Sequence, residues 1–95
     1  MIEVDRERYE ARIDGRRVNL TTLQCDILSL LVSANGKLVT REDMVKTVWG
    51  WPKTIQLRIH TRTIDQNISR IRKILKSRKP VIRCIRGRGY CIVRN

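Results

Sequence analysis

The sequence contains no phenylalanine, one histidine, two prolines and only 4% aromatic residues. Leu, Ile and Val must therefore fill the interior, helped by Tyr9, Trp49, Trp51 and Tyr90. So few rings also argue against a reader of RNA, which stacks bases on aromatic platforms. The three cysteines, Cys25, Cys84 and Cys91, match none of the paired spacings of metal sites, and His60 stands alone. No zinc or other cofactor is expected on that pattern. Reduced thiols in a cytoplasmic protein are the simplest reading of this cysteine usage. No apolar run approaches the ~20 residues that span a bilayer, and the start shows no apolar signal region, so no membrane partner is expected.

Catalytic groupings are missing too. An enzyme needs a nucleophile with a base, a carboxylate pair or a metal, and neither a Walker nor a dinucleotide motif occurs. The expectation is not an enzyme. Acidic residues all but vanish after residue 52. Residues 1–52 hold eight Lys+Arg against eight Asp+Glu, whereas residues 53–95 hold thirteen against one, Asp65, so the net charge of +12 lies wholly in the second half. Solubility requires no such segregation, but a one-sided positive field helps a protein find a phosphate backbone. Anionic lipid is the competing polyanion. Basic membrane helices, however, expose an apolar face, and the apolar residues here look committed to a core.

What is present reads as one α+β domain over residues 1–95, of a length that folds alone. Asp14-Gly15 marks a tight hairpin turn between Ala11–Ile13 and Val18–Leu20, part of a small antiparallel sheet with one wet face. Thr21 then caps a helix, with Gln24 three residues on as a capping box requires. Leu23, Ile27, Leu28, Leu30 and Leu31 form its apolar stripe, and Asn35-Gly36 ends it. Thr40 caps a second, short helix with Glu42 and Asp43 in its first turn, Met44, Val45 and Val48 inward, and Gly50 as its stop. Residues 51–60 fit neither period and read as a loop with at most one helical turn. A third helix starts with Thr61 as cap. The chain closes in a hairpin around Gly87-Arg88-Gly89.

The third helix carries the chemistry. Residues advance ~100° each along a helix, so Ile64, Ile68, Ile71 and Leu75 share one narrow stripe. Arg62, Gln66, Ser69, Arg70 and Lys73 project from the other half. Arg can fork onto guanine and Gln onto adenine, while a small Ser permits close approach. Taken alone, such a face reads more readily as an ordinary wet surface. Its context is a short capped helix, a connection and a basic amphipathic helix, the parts of a helix-turn-helix. The hairpin that follows adds Arg83, Arg86 and Arg88 beside a glycine turn, and arginine is favoured in a narrow minor groove.

"VNLTTLQCDILSLLVSANGKLVTREDMVKTVWG", "RTIDQNISRIRKIL" and "IRCIRGRGYCIV" resemble, in order and spacing, the winged-helix effector domain of OmpR/PhoB-type response regulators of two-component systems. The resemblance covers residues 2 to 94. It implies a winged helix-turn-helix with a four-stranded N-terminal sheet, three helices and a C-terminal hairpin wing. It also implies transcription regulation by sequence-specific binding of double-stranded DNA, as a dimer on direct-repeat half-sites. By matching position, Arg70 becomes the main base reader in the major groove, with Thr63, Asp65, Gln66 and Lys73 close to the bases. Arg62, Asn67, Ser69, Arg72 and Trp49 engage or flank phosphates, and Cys84 sits at a backbone-contacting position. Arg86 matches the arginine that enters the minor groove, and Arg88 adds a second contact there. RNA polymerase would be met through loop 50–60, where Trp51, Ile55, Leu57 and Ile59 are apolar. Thr22 and Gln24 depart mildly from the frequent Pro and Glu. The segment between Trp49 and Arg62 is longer than the pattern.

Two further readings stay open. A winged helix can instead be a protein-interaction module, docking on RNA polymerase or another partner. No receiver domain is evident, so the chain is either an excised fragment or a stand-alone regulator. For the thiols, a hairpin turning at Gly87-Arg88-Gly89 pairs Cys84 with Ile92 and Ile85 with Cys91. Neighbouring strand residues face opposite ways, so no bridge between Cys84 and Cys91 is expected.

Overall fold

The computed structural model describes residues 2–50, 54–75 and 81–93, with the side chains of 54–59 and 81 outside that description. Strands β1 (Ile2–Asp5), β2 (Glu10–Ile13) and β3 (Arg16–Asn19) form an antiparallel meander in the order β1-β2-β3. Ile13 pairs with Arg16 across Asp14-Gly15, and both turn residues have positive φ (50° and 81°), as a two-residue hairpin of right-handed twist requires. Alternation does the rest. Ile2, Ala11 and Ile13 point into the core while Arg12 points to solvent.

Helix α1 (Thr22–Ser33) starts as its sequence dictates. Gln24 N donates to Thr21 Oγ1 (3.1 Å) and Thr21 N donates to Gln24 Oε1 (3.0 Å), so the reciprocal capping box is formed. A two-residue strand β4 (Val39–Thr40) leads into α2 (Arg41–Trp49), whose cap is the Thr40 hydroxyl accepting from Asp43 N at 3.0 Å. Gly50 ends α2 with φ 85°, and its N–H bonds the Lys46 carbonyl.

The fold departs from the sequence-based expectation in three places. Helix α3 runs from Thr54 to Leu75, so most of the supposed loop 50–60 is its first turns and Thr61 is an interior residue, not a cap. Residues 55–60 alternate apolar and polar, which disguised a helix as an irregular segment. The implied fourth strand of the N-terminal sheet is also absent among the described residues. The short strand available, β4, pairs instead with the wing, giving a second sheet in the order β4-β6-β5. Finally, the wing strands β5 (Val81–Ile85) and β6 (Gly89–Val93) meet in a register shifted from expectation, with Cys84 opposite Tyr90 and Ile85 opposite Gly89. The turn is Arg86-Gly87-Arg88, closed by Arg88 N donating to Ile85 O (2.9 Å), with Gly87 at φ 76° as a type II turn needs. The shift preserves parity, so Cys84 and Cys91 still face opposite ways, and all three cysteines are free thiols.

One core joins all of this. Ile27, Leu28 and Leu31 of α1, Met44 and Val45 of α2, Ile64, Ile68, Ile71 and Leu75 of α3, and Ile82, Tyr90 and Ile92 of the wing belong to a single buried cluster. Of the aromatic residues expected inside, only Tyr90 is buried (4% exposed), whereas Tyr9 and Trp49 are 45% and 39% exposed. Trp51 lies outside the described residues. Branched aliphatics thus fill the interior almost unaided.

Candidate nucleic-acid interface

The apolar stripe of α3 is seated as its spacing demands, with Ile64, Ile68, Ile71 and Leu75 between 0% and 3% exposed. Burying that stripe turns Arg62, Gln66, Ser69, Arg70 and Lys73 outward, and all five are exposed. Thr63 is half-buried at the edge of this arc.

The wing lies along one flank of the same arc. Asp65 and Arg72, seven residues apart, both project roughly 90° from the core stripe. Asp65 accepts a hydrogen bond from the Tyr90 hydroxyl of β6, and Arg72 donates to the Ile82 carbonyl of β5 from Nε (3.2 Å) and Nη2 (3.0 Å). The exposed arc begins beside that seam. At the far end of the hairpin Arg86 and Arg88 flank Gly87 in the turn, all exposed, and Arg83 and Cys84 are exposed on β5. A basic helix face and a basic hairpin tip therefore stand on one packed frame.

Several residues assigned from sequence turn toward the protein itself. Asp65, the sole acid of the second half, takes Arg41 Nε at 2.8 Å on the same oxygen, Oδ1, that accepts from Tyr90. Asn67 is only 5% exposed and donates to the Thr63 carbonyl at 2.9 Å. Arg72, though exposed, turns Nε and Nη2 to the Ile82 carbonyl. Trp49 stacks on His60, rings 4.3 Å apart and 15° from parallel, which clamps the end of α2 to α3.

Sequence reading missed Arg41 and Tyr90 as partners of Asp65. A lone carboxylate amid cations was the available signal, because such a group finds a counter-charge when the fold permits. Its consequences are electrostatic as well as geometric. The hydrogen bond to Asp65 raises the Arg41 pKa, keeping the guanidinium charged. Burial, reinforced by the negative Asp65, pushes the Tyr90 phenol up to about 12, so it remains a donor at neutral pH. Elsewhere, burial raises the Cys25 thiol, whose sulfur lies 3.8 Å from the Asp5 carbonyl oxygen. Among the described residues no cluster of His, Cys, Asp and Glu could hold a metal ion, and no helix is long and apolar enough to cross a membrane.

The family model described as "Transcriptional regulatory protein, C terminal" matches residues 15–92. The chain belongs to that family. Its fold is the winged helix-turn-helix of OmpR/PhoB-type effector domains. The phosphate regulon transcriptional regulatory protein PhoB of Rhizobium meliloti is 34% identical over 93 residues, covering 96% of this chain and 39% of PhoB. The crystal structure of the DNA-binding domain of CpxR from E. coli superposes with a TM-score of 0.77 at 31% identity, covering 98% of this chain and 90% of that one. The DNA-binding domain of Klebsiella pneumoniae RstA, solved in complex with the RstA box, gives a TM-score of 0.77 at 25% identity, covering 97% of this chain and 90% of that one. The chain spans about two fifths of the length of the curated relatives it matches.

Proposed function

We propose that this domain binds double-stranded DNA in a sequence-specific manner as the output module of a transcriptional regulator, with α3 in the major groove and the β5-β6 tip in an adjoining minor groove. The observation that carries the reading is the exposed arc Arg62–Gln66–Ser69–Arg70–Lys73 flanked by a wing tipped with Arg86 and Arg88. Arg70 is the main base reader, with Gln66, Thr63 and Lys73 beside it. Arg62 and Ser69 meet phosphates, with Trp49 and Cys84 at the margins of the contact. Arg86 and Arg88 enter the minor groove. Asn67, buried and bonded to the Thr63 carbonyl, serves by holding the helix, while exposed Arg72 braces the wing through Nε and Nη2 and stands at the phosphate margin.

A dimer on direct-repeat half-sites in a cytoplasmic regulator is the assembly that this reading implies. Contact with RNA polymerase would fall on the connection between α2 and α3, which includes residues 51–53, outside the described residues. The test is binding of labelled duplexes selected from a random pool, repeated as salt is raised. A groove-bound domain should lose affinity steeply as salt rises, with a log–log slope of about −0.9 for each phosphate neutralised. Failure to enrich any motif, or an affinity indifferent to salt, would overturn the proposal and favour a protein-docking module.

A further inference from the structure

The one acid of the recognition helix is not facing the solvent alone; it is the hub of a cluster built from three separate elements. Asp65 Oδ1 receives Arg41 Nε from the first residue of α2 and the Tyr90 hydroxyl from β6. The Arg41 guanidinium lies 5.2 Å from the centroid of the Tyr90 ring, and the Arg72 guanidinium of α3 lies 5.8 Å from it. Arg72 then continues to the Ile82 carbonyl of β5. The backbone repeats the connection, because Thr40, the cap of α2, pairs with Gly89, the first residue of β6 after the turn.

Charge-assisted hydrogen bonds in a partly buried setting are directional, and a ring against two cations has few alternative positions. Loosening any member frees the hairpin end around the Arg86-Gly87-Arg88 turn to shift, while Ile82 and Ile92 further along the strands keep their places in the core. Two groove-reading elements held at a fixed spacing gain affinity over two that must be aligned on binding, since the ordering cost is met on folding. Arg86 lies just across the turn from Gly89 and Tyr90, so a shift of β6 at Tyr90 is passed directly to the tip.

We propose that Arg41, Asp65 and Tyr90 form a positioning device that fixes the wing against the recognition helix, so that minor-groove contact by Arg86 depends on the cluster being intact. This rests on the DNA-binding reading above. Tyr90→Phe removes the hydroxyl and keeps the ring. Arg41→Gln is a second, independent break that leaves Tyr90 unaltered.

The experiment is a double-mutant cycle on selected duplexes with A·T-rich or G·C-rich flanks. Arg86→Ala should weaken binding roughly tenfold on A·T-rich flanks in the otherwise wild-type protein. In the Tyr90→Phe or Arg41→Gln background the same change should cost no more than about threefold. Each single break should lower affinity on A·T-rich flanks and leave the G·C-rich duplex within about twofold. A merely structural role would instead lower affinity on every flank alike. Losses that multiply independently in both cycles would overturn the positioning role while leaving DNA binding standing. A wild-type domain that bound no duplex would overturn the reading beneath it.

Discussion

Gly89 lies against the backbone of Val39 so closely that a Cβ placed on it would come 2.1 Å from the Val39 carbonyl oxygen and 2.8 Å from Thr40 Cα. Its φ is unexceptional, so it is space and not conformation that demands glycine here. The contact brings β4 onto β6 and thereby sets the wing on the start of α2. Gly89→Ala should force the two strands apart and cost about 1–3 kcal/mol of stability, as overpacking does. Gly87→Ala makes no such contact, and its penalty should come only from the positive φ. Equal thermal melting of Gly89→Ala and the wild type would show that β4 can yield without loss.

Ile68 and Arg70 stand two residues apart on α3 and answer to different physics. Ile68 is 1% exposed within the core, so Ile68→Ala leaves a cavity and should destabilise the fold by ~2–5 kcal/mol. Arg70 is exposed, so Arg70→Ala should leave the melting temperature nearly unchanged while costing ~1–3 kcal/mol in DNA affinity, concentrated at one base position per half-site. Paired denaturation and binding measurements separate them. A melting temperature unmoved by Ile68→Ala would mean that the faces of α3 are inverted.

Much of this molecule could be read from the chain alone, and the pattern of failure is informative. Helix starts at Thr21 and Thr40 were legible because capping is local, involving residues three apart. The inward stripe and outward basic arc of α3 were legible because helical periodicity is local too. The start of α3 was not, since residues 55–60 alternate in polarity, whereas the helix there runs on from Thr54. The wing register slipped because both glycines looked like turn residues, whereas Gly89 is claimed by a strand distant in sequence. For Asp65, Asn67 and Arg72 the family resemblance implies contacts with DNA, and the folded chain adds contacts within the domain. Their internal partners, Arg41, Thr63, Tyr90 and Ile82, become visible only when the chain is folded.

The Tyr90 phenol offers a test at high pH. Its pKa is pushed from the ordinary 10.0 to about 12, first by burial and then by donation to Asp65, so folding favours the protonated form. The sign follows directly. A group whose folded pKa is raised contributes stability that is fully present below its unfolded value and is lost as pH climbs through the folded one. The contribution should therefore be intact below pH 10 and should fade as pH rises toward 12. Tyr90→Phe has no proton to lose at that site. The stability gap between wild type and Tyr90→Phe, measured by urea unfolding, should accordingly narrow across this window, by an amount on the order of 2–3 kcal/mol at the limit. The difference between the two proteins cancels the titration of every other tyrosine and lysine. A gap that stayed constant through the window would mean that the phenol ionises as it does in the unfolded chain, and that the Asp65 carboxylate is not holding its proton in place.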